Sequence, residues 1–147
     1  MGYNPSSRGP VAKAARQVQS NYTNATGAFL PMVSVVSSNV SGMIELIDVT
    51  SDGSVSRFLG LTSVDMPVAA TGGVVSQGRI EAVTTTFSVG DALYVNFDGT
   101  IINLKPDYGV NGFVVGCYVI FIGVVVKNEF NSSSKDFQIN PTVIGQL

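Results

Sequence analysis

The side chains with which this chain could do chemistry are ten carboxylates, one thiol and many hydroxyls, with no histidine among them. Without imidazole, the Ser-His-Asp and Cys-His nucleophile systems cannot be assembled, and neither can His-ligated metal sites. Two carboxylates suffice for a glycosidase. Here Glu45, Asp48, Asp52, Asp65, Glu81, Asp91, Asp98, Asp107, Glu129 and Asp136 are scattered, most of them beside glycine or in predicted turns. None sits in the apolar, aromatic-lined setting that raises a carboxyl pKa toward catalytic use. Asp91, Asp98 and Asp107 could converge on Ca²⁺, but turn-forming aspartates explain them without a metal. Cys117 lies inside an apolar run with no electropositive neighbour, which predicts a small packed side chain rather than a reactive thiol. Gly72-Gly73 could cradle a phosphate, yet neither Gly-Lys-Ser/Thr nor a G-x-G-x-x-G pattern follows and no helix is predicted to open there, so a backbone turn is expected. The residues predict no enzymatic activity, no catalytic residue, no cofactor and no metal.

The elements that would position any site are organised around Phe113 to Val126, the longest uncharged apolar run in the chain. As a helix its fourteen residues would rise only ~21 Å, against a hydrocarbon core of about 30 Å, so it is too short to cross a membrane as a helix. Eight of the fourteen are Val or Ile, and Gly116 and Gly123 interrupt them, a composition that favours strand over helix. The pattern predicts a short strand over 113–115, a bend at Gly116-Cys117 and a long strand from Tyr118 to about Lys127. Alternation then puts Tyr118, Ile120, Ile122, Val124 and Val126 on one face and Val119, Phe121, Gly123 and Val125 on the other. Both faces are apolar and both need covering, by a second layer of this chain or by another subunit. A homo-oligomer, dimer or trimer, held through Tyr118, Ile120, Ile122 and Val124 is the expectation.

At 147 residues, with sixteen glycines and only 12% charged residues, the chain suits one all-β domain over 28–147 preceded by an N-terminal arm over 1–27. Expected strands are 29–36, 42–49, 55–61, 74–83 split at Gly78, 92–96, 100–104 and 136–144, with Pro141 marking an edge or a bulge. Ser51-Asp52-Gly53-Ser54 and Asp98-Gly99 are expected as hairpin turns.

Charge is unevenly divided. Residues 1–20 hold Arg8, Lys13 and Arg16 and no acid, while the other 127 hold five basic and ten acidic residues, so a +3 arm precedes a −5 body. Pro10 could open a short helix over 10–20, with Val11, Ala14, Ala15, Val18 and Tyr22 on one face. Arg8, Lys13, Arg16, Val18 and Tyr22 are therefore candidate contacts with an acidic partner or a neighbouring copy. Three cations without interleaved aromatics fall short of a nucleic-acid stripe. The first thirty residues contain no apolar stretch of the signal-peptide type, and the Asn-X-Ser/Thr triplets at Asn21, Asn24, Asn39 and Asn131 are read as chance.

A family resemblance runs from Gly78 to Leu147. Its pieces are Phe87-Ser88-Val89-Gly90-Asp91 before a Tyr94-Val95 strand, Asp98-Gly99-Thr100, Lys105-Pro106, and Gly109-Val110-Asn111-Gly112-Phe113-Val114. Gly123 to Glu129, Lys135-Asp136 and the closing Val143-Ile144-Gly145-Gln146-Leu147 complete the set. In this order they resemble a small structural domain of tailed-bacteriophage virion proteins of the head decoration (cement) type, with similar domains in tail-fibre and adaptor proteins. The family usually carries an acid after the glycine at Gly116, where this chain has Cys117.

The resemblance implies a small antiparallel β-barrel or β-sandwich, tulip-like or jelly-roll-like, with an extended N-terminal arm. It also implies a decoration protein on the outer surface of the capsid that stabilises the head by bridging major capsid subunits. The alternative it leaves is a trimeric tail-fibre or adaptor/collar protein.

Overall fold

A computed structural model describes residues 17–147. In chain order these form β1 (Gln17–Thr23), β2 (Val35–Ser38), β3 (Ile44–Leu46), a single-turn helix α1 (Asp52–Ser56), β4 (Phe58–Thr62) and β5 (Thr71–Val83). They continue with β6 (Ala92–Val95), β7 (Ile101–Ile102), β8 (Tyr118–Lys127) and β9 (Lys135–Gln146). One sheet runs β3-β2-β4-β5-β9-β8-β6-β7, with β1 paired to β5 outside that path. The named strand pairs are antiparallel, and the sheet curls into a half-barrel, which agrees with the small all-β barrel expected.

β8 carries the middle of the core, as its Val/Ile content predicts. Ile120, Ile122 and Val125 are buried with Val35, Leu61, Val75, Leu93, Phe113, Phe137 and Ile139 in a single apolar cluster. Each such side chain contributes roughly 1.5–3 kcal/mol on leaving water. Strict alternation along β8 fails beside Gly123, because its register against β6 shifts between Leu93 and Tyr94 and leaves Ile122 as an extra residue of β8. Such a bulge adds a residue to one strand only, so faces cannot be counted by twos across it. At Gly123 the strands come so close that a Cβ would collide with the Gln138 carbonyl, and only glycine fits.

β5 is the junction. Its first half pairs with β1, Val74 and Val75 also pair with β4, and Gly78 to Val83 pair with the start of β9. A polar cluster locks the β5–β9 end. Asp136, 3% exposed, accepts hydrogen bonds from the Ala82 N–H at 2.9 Å and Asn128 Nδ2 at 2.8 Å. Arg79 Nε lies 3.0 Å from its other oxygen, close enough for an ion pair though off hydrogen-bond angle. This network holds Ala82 at φ 58°, where the β5–β9 register shifts.

Several sequence expectations need correction. Gln17–Thr23 is a strand, so the helix expected over 10–20 is absent from its described part, and residues 1–16 lie outside the described region. Val18 and Tyr22, four apart, share a face in either element, so spacing alone could not separate them. Within the range expected as arm, Gln17–Thr23 pairs with β5. Ser51 to Ser54 do not form a hairpin turn: the Ser51 hydroxyl accepts from the Ser54 N–H and caps α1. Gly72-Gly73 are not a turn but lie inside β5 opposite Tyr22 and Asn21, and Gly78 does not split that strand. Added Cβ atoms there would press on Met66, Val64, Gln19 and Ser63, so close packing explains both glycines. Residues 113–115 are not a strand, and β2 is confined to Val35–Ser38 because 29–34 turns back on 62–66.

Candidate interaction surface

The loop between β7 and β8 is built from turns. Val110 N–H donates to Asp107 O at 3.2 Å and Phe113 N–H to Val110 O at 3.0 Å, with Asn111 and Gly112 at φ 54° and 90° between them. Positive φ at both central residues is the type I′ pattern that Asn-Gly suits best. Phe113, 1% exposed, anchors the loop in the core and meets Phe97 edge-on at 5.8 Å. A second turn follows, with Cys117 N–H donating to Val114 O at 3.2 Å, and it is clamped to the chain end. Gly116 N–H donates to Leu147 O at 2.6 Å, Leu147 N–H to Cys117 O at 2.8 Å, and Gln146 Nε2 to Gly116 O at 2.8 Å.

This arrangement leaves apolar side chains outside. Leu104, Tyr108, Val110, Val114 and Val115 from the loop and Ile144 from β9 are between 46% and 77% exposed. Beside them an open cleft of about 450 Å³ is lined by Lys105, Pro106, Asp107, Val119 and residues 144–147. One cation and one anion at its rim leave the surface close to neutral.

The sequence-predicted contacts are not gathered here. Arg8, Lys13 and Arg16 lie outside the described residues. Val18 is exposed on β1, and Tyr22 is half-buried against a separate small core of Leu30, Val36, Ile44, Met66 and Val74. Ile120 and Ile122 have no exposure at all, so they cannot meet a partner without unfolding the core. Tyr118 and Val124 are half-buried. The Tyr118 hydroxyl donates to Asp52, and that hydrogen bond raises the phenol pKa above its usual value. Much of the second face of β8 is covered from within the chain: Tyr94 packs edge-on to Phe121 at 5.8 Å, and Val119 is a buried wall of the cleft. The exposed loop residues were missed because a Pro/Gly/Asn/Asp segment reads simply as connection. Their signal is the unusual apolar content of Val110, Val114 and Val115 within such a segment.

Other candidates resolve into turn chemistry. Asp91 accepts from the Ser88 N–H at 2.9 Å and Asn103 Nδ2 at 3.1 Å, and these bonds, the first above all, lower its pKa. Asp98 accepts from Thr100 N–H, and Asp107 from Tyr108 N–H. Among the described residues no three His, Cys, Asp or Glu side chains converge as metal ligands.

The asparagines of two Asn-X-Ser/Thr triplets, Asn24 and Asn131, cap their own turns. Asn24 Oδ1 accepts from Thr26 N–H and Oγ1, and Asn131 Oδ1 from Ser133 N–H and Oγ. Asp48 and Asp98 do the same with Thr50 and Thr100. Asn24 is 2% exposed and also donates to the Ala28 and Met66 carbonyls, tying β1 to the 66–67 loop. The chain matches no protein-family model, and no curated protein is significantly similar to it.

Proposed function

We propose that this chain is a non-enzymatic assembly protein, a phage capsid decoration protein that binds the outside of the head shell and bridges neighbouring major capsid subunits. The observation that carries the proposal is the exposed apolar surface of Leu104, Tyr108, Val110, Val114, Val115 and Ile144 on a loop fixed by turns and a core phenylalanine. Exposed apolar side chains gathered on one loop and the strand clamped to it are the usual mark of a protein interface.

The sequence pieces behind the family resemblance support it. Lys105-Pro106 and Gly109 to Val114 belong to one loop, and Ile144 to Leu147, some thirty residues later, join Lys105-Pro106 around one cleft. Arg8, Lys13 and Arg16 would add attraction to an acidic shell surface, speeding encounter more than tightening the final complex.

The test is co-sedimentation of the full chain with purified shells that lack it. Leu104→Ser with Val115→Ser should weaken binding by about tenfold or more, the equivalent of ~1.4 kcal/mol. Unchanged binding by this variant would remove the loop from the mechanism. Copy number in purified particles separates this role from a tail-fibre or collar role, since decoration requires shell-wide stoichiometry.

A further inference from the structure

The two halves of β9 have different neighbours. Lys135 to Ile139 lie between β5 and β8, but from Asn140 to Gln146 β9 pairs with β8 alone among the described strands. The second edge of that segment, seven residues and ~23 Å of extended backbone, is paired with no described strand. Such an edge presents unpaired N–H and C=O groups and is a template for another strand. Proteins ordinarily blunt it with lysine, inward charge, proline or a bulge. Here Asn140-Pro141-Thr142-Val143-Ile144-Gly145-Gln146 contains no charge, and Val143 and Ile144 are nearly half exposed. Among the described residues, Pro141 and the register shifts of the β8–β9 ladder are what blunts it.

We infer that this edge pairs antiparallel with the same edge of a second copy about a two-fold axis, joining two half-barrels through one continuous sheet. A second copy is the occupant the charges favour. An uncharged edge meets its own image without like-charge repulsion, whereas the outer side of β3 is already taken by Asn24 and Ala25, whose N–H donates to Ile44 O at 3.0 Å. A two-fold also satisfies both edges at once and closes the assembly, so no open fibre results. The contact differs from the one expected on β8, where Ile120 and Ile122 are in the core and Tyr118 and Val124 are half-buried. It does not depend on shell binding.

Sedimentation velocity of the full chain over a concentration series, with hydrogen–deuterium exchange on the same samples, tests the pairing. The wild type should sediment as a dimer at high concentration, with amides of 140–146 gaining protection as the dimer forms. Val143→Lys and Ile144→Lys, made separately, should shift the chain to monomer with an unchanged thermal melt. A wild type that stays monomeric throughout, a dimer that survives both lysines, or a dimer that leaves 140–146 unprotected would each overturn the inference.

Discussion

Within β9, Lys135 to Ile139 and Asn140 to Gln146 belong to one strand but do different work. The first half is flanked on both sides, places Phe137 and Ile139 in the core and holds Asp136 in a buried polar cluster. The second half is held on one side, lies mostly exposed and borders the cleft. The difference teaches that apolar content by itself does not identify an assembly surface. β8 is richer in Val and Ile than the end of β9, yet β8 spends that content on the core because it lies between β9 and β6.

Substitutions in the two halves should separate accordingly. Gly123→Ala, opposite the two-sided half, should have the largest effect. Its Cβ meets the Gln138 backbone, which cannot rotate away, so more than about 3 kcal/mol of stability should be lost. Urea unfolding checks this, and a wild-type midpoint would show that β8 and β9 can separate without loss. Asp136→Ala should follow at about 3 kcal/mol, the lower part of the range for severing a buried pair, because the Arg79 side chain keeps 27% exposure. The same measurement applies, and exchange in the 128–134 loop should rise with it.

Val143→Thr in the one-sided half should change monomer stability by no more than about 0.5 kcal/mol. A loss comparable to Asp136→Ala would erase the contrast between the halves. The smallest effect concerns Asp91. Its folded pKa lies below the ordinary 3.8, so its contribution to stability is present above that value and is lost as pH falls through the lower folded pKa. Asp91→Asn should therefore differ slightly from wild type at neutral pH and converge with it in strong acid, as read from melts across an acid series.

How far this was legible in sequence depended on whether local chemistry had one solution. The limits of β8, the Asp98-Gly99 turn and the packing of Cys117 each follow from composition that admits little else. Ser51-Asp52-Gly53-Ser54 suits a hairpin turn and a capped helical turn equally; here the Ser51 hydroxyl accepts the Ser54 N–H to cap the helical turn, and the Ser54 hydroxyl accepts the Asp48 N–H at 2.9 Å. Gly72-Gly73 signals a turn by itself but close packing once Met66 and Val64 lie over it. Pro141 was readable as edge or bulge and is both, since it lies beyond Ile139 on the free edge and within a register shift. The candidate surface was the least legible, because it forms only where the 104–116 loop meets a chain end more than thirty residues later in the sequence.

The side-chain-capped turns carry one more consequence. Asn24 and Asn131 build them with an amide, Asp48 and Asp98 with a carboxylate, and in all four a single oxygen accepts both the backbone N–H and the hydroxyl two residues on. Geometry at these positions is indifferent to ionisation. Exchanging Asp48 and Asp98 for asparagine would take the formal net charge from −2 to 0 with the turns intact. The isoelectric point of this protein can therefore drift through its turns while its architecture stands still, leaving long-range attraction to a partner free to be tuned independently of folding.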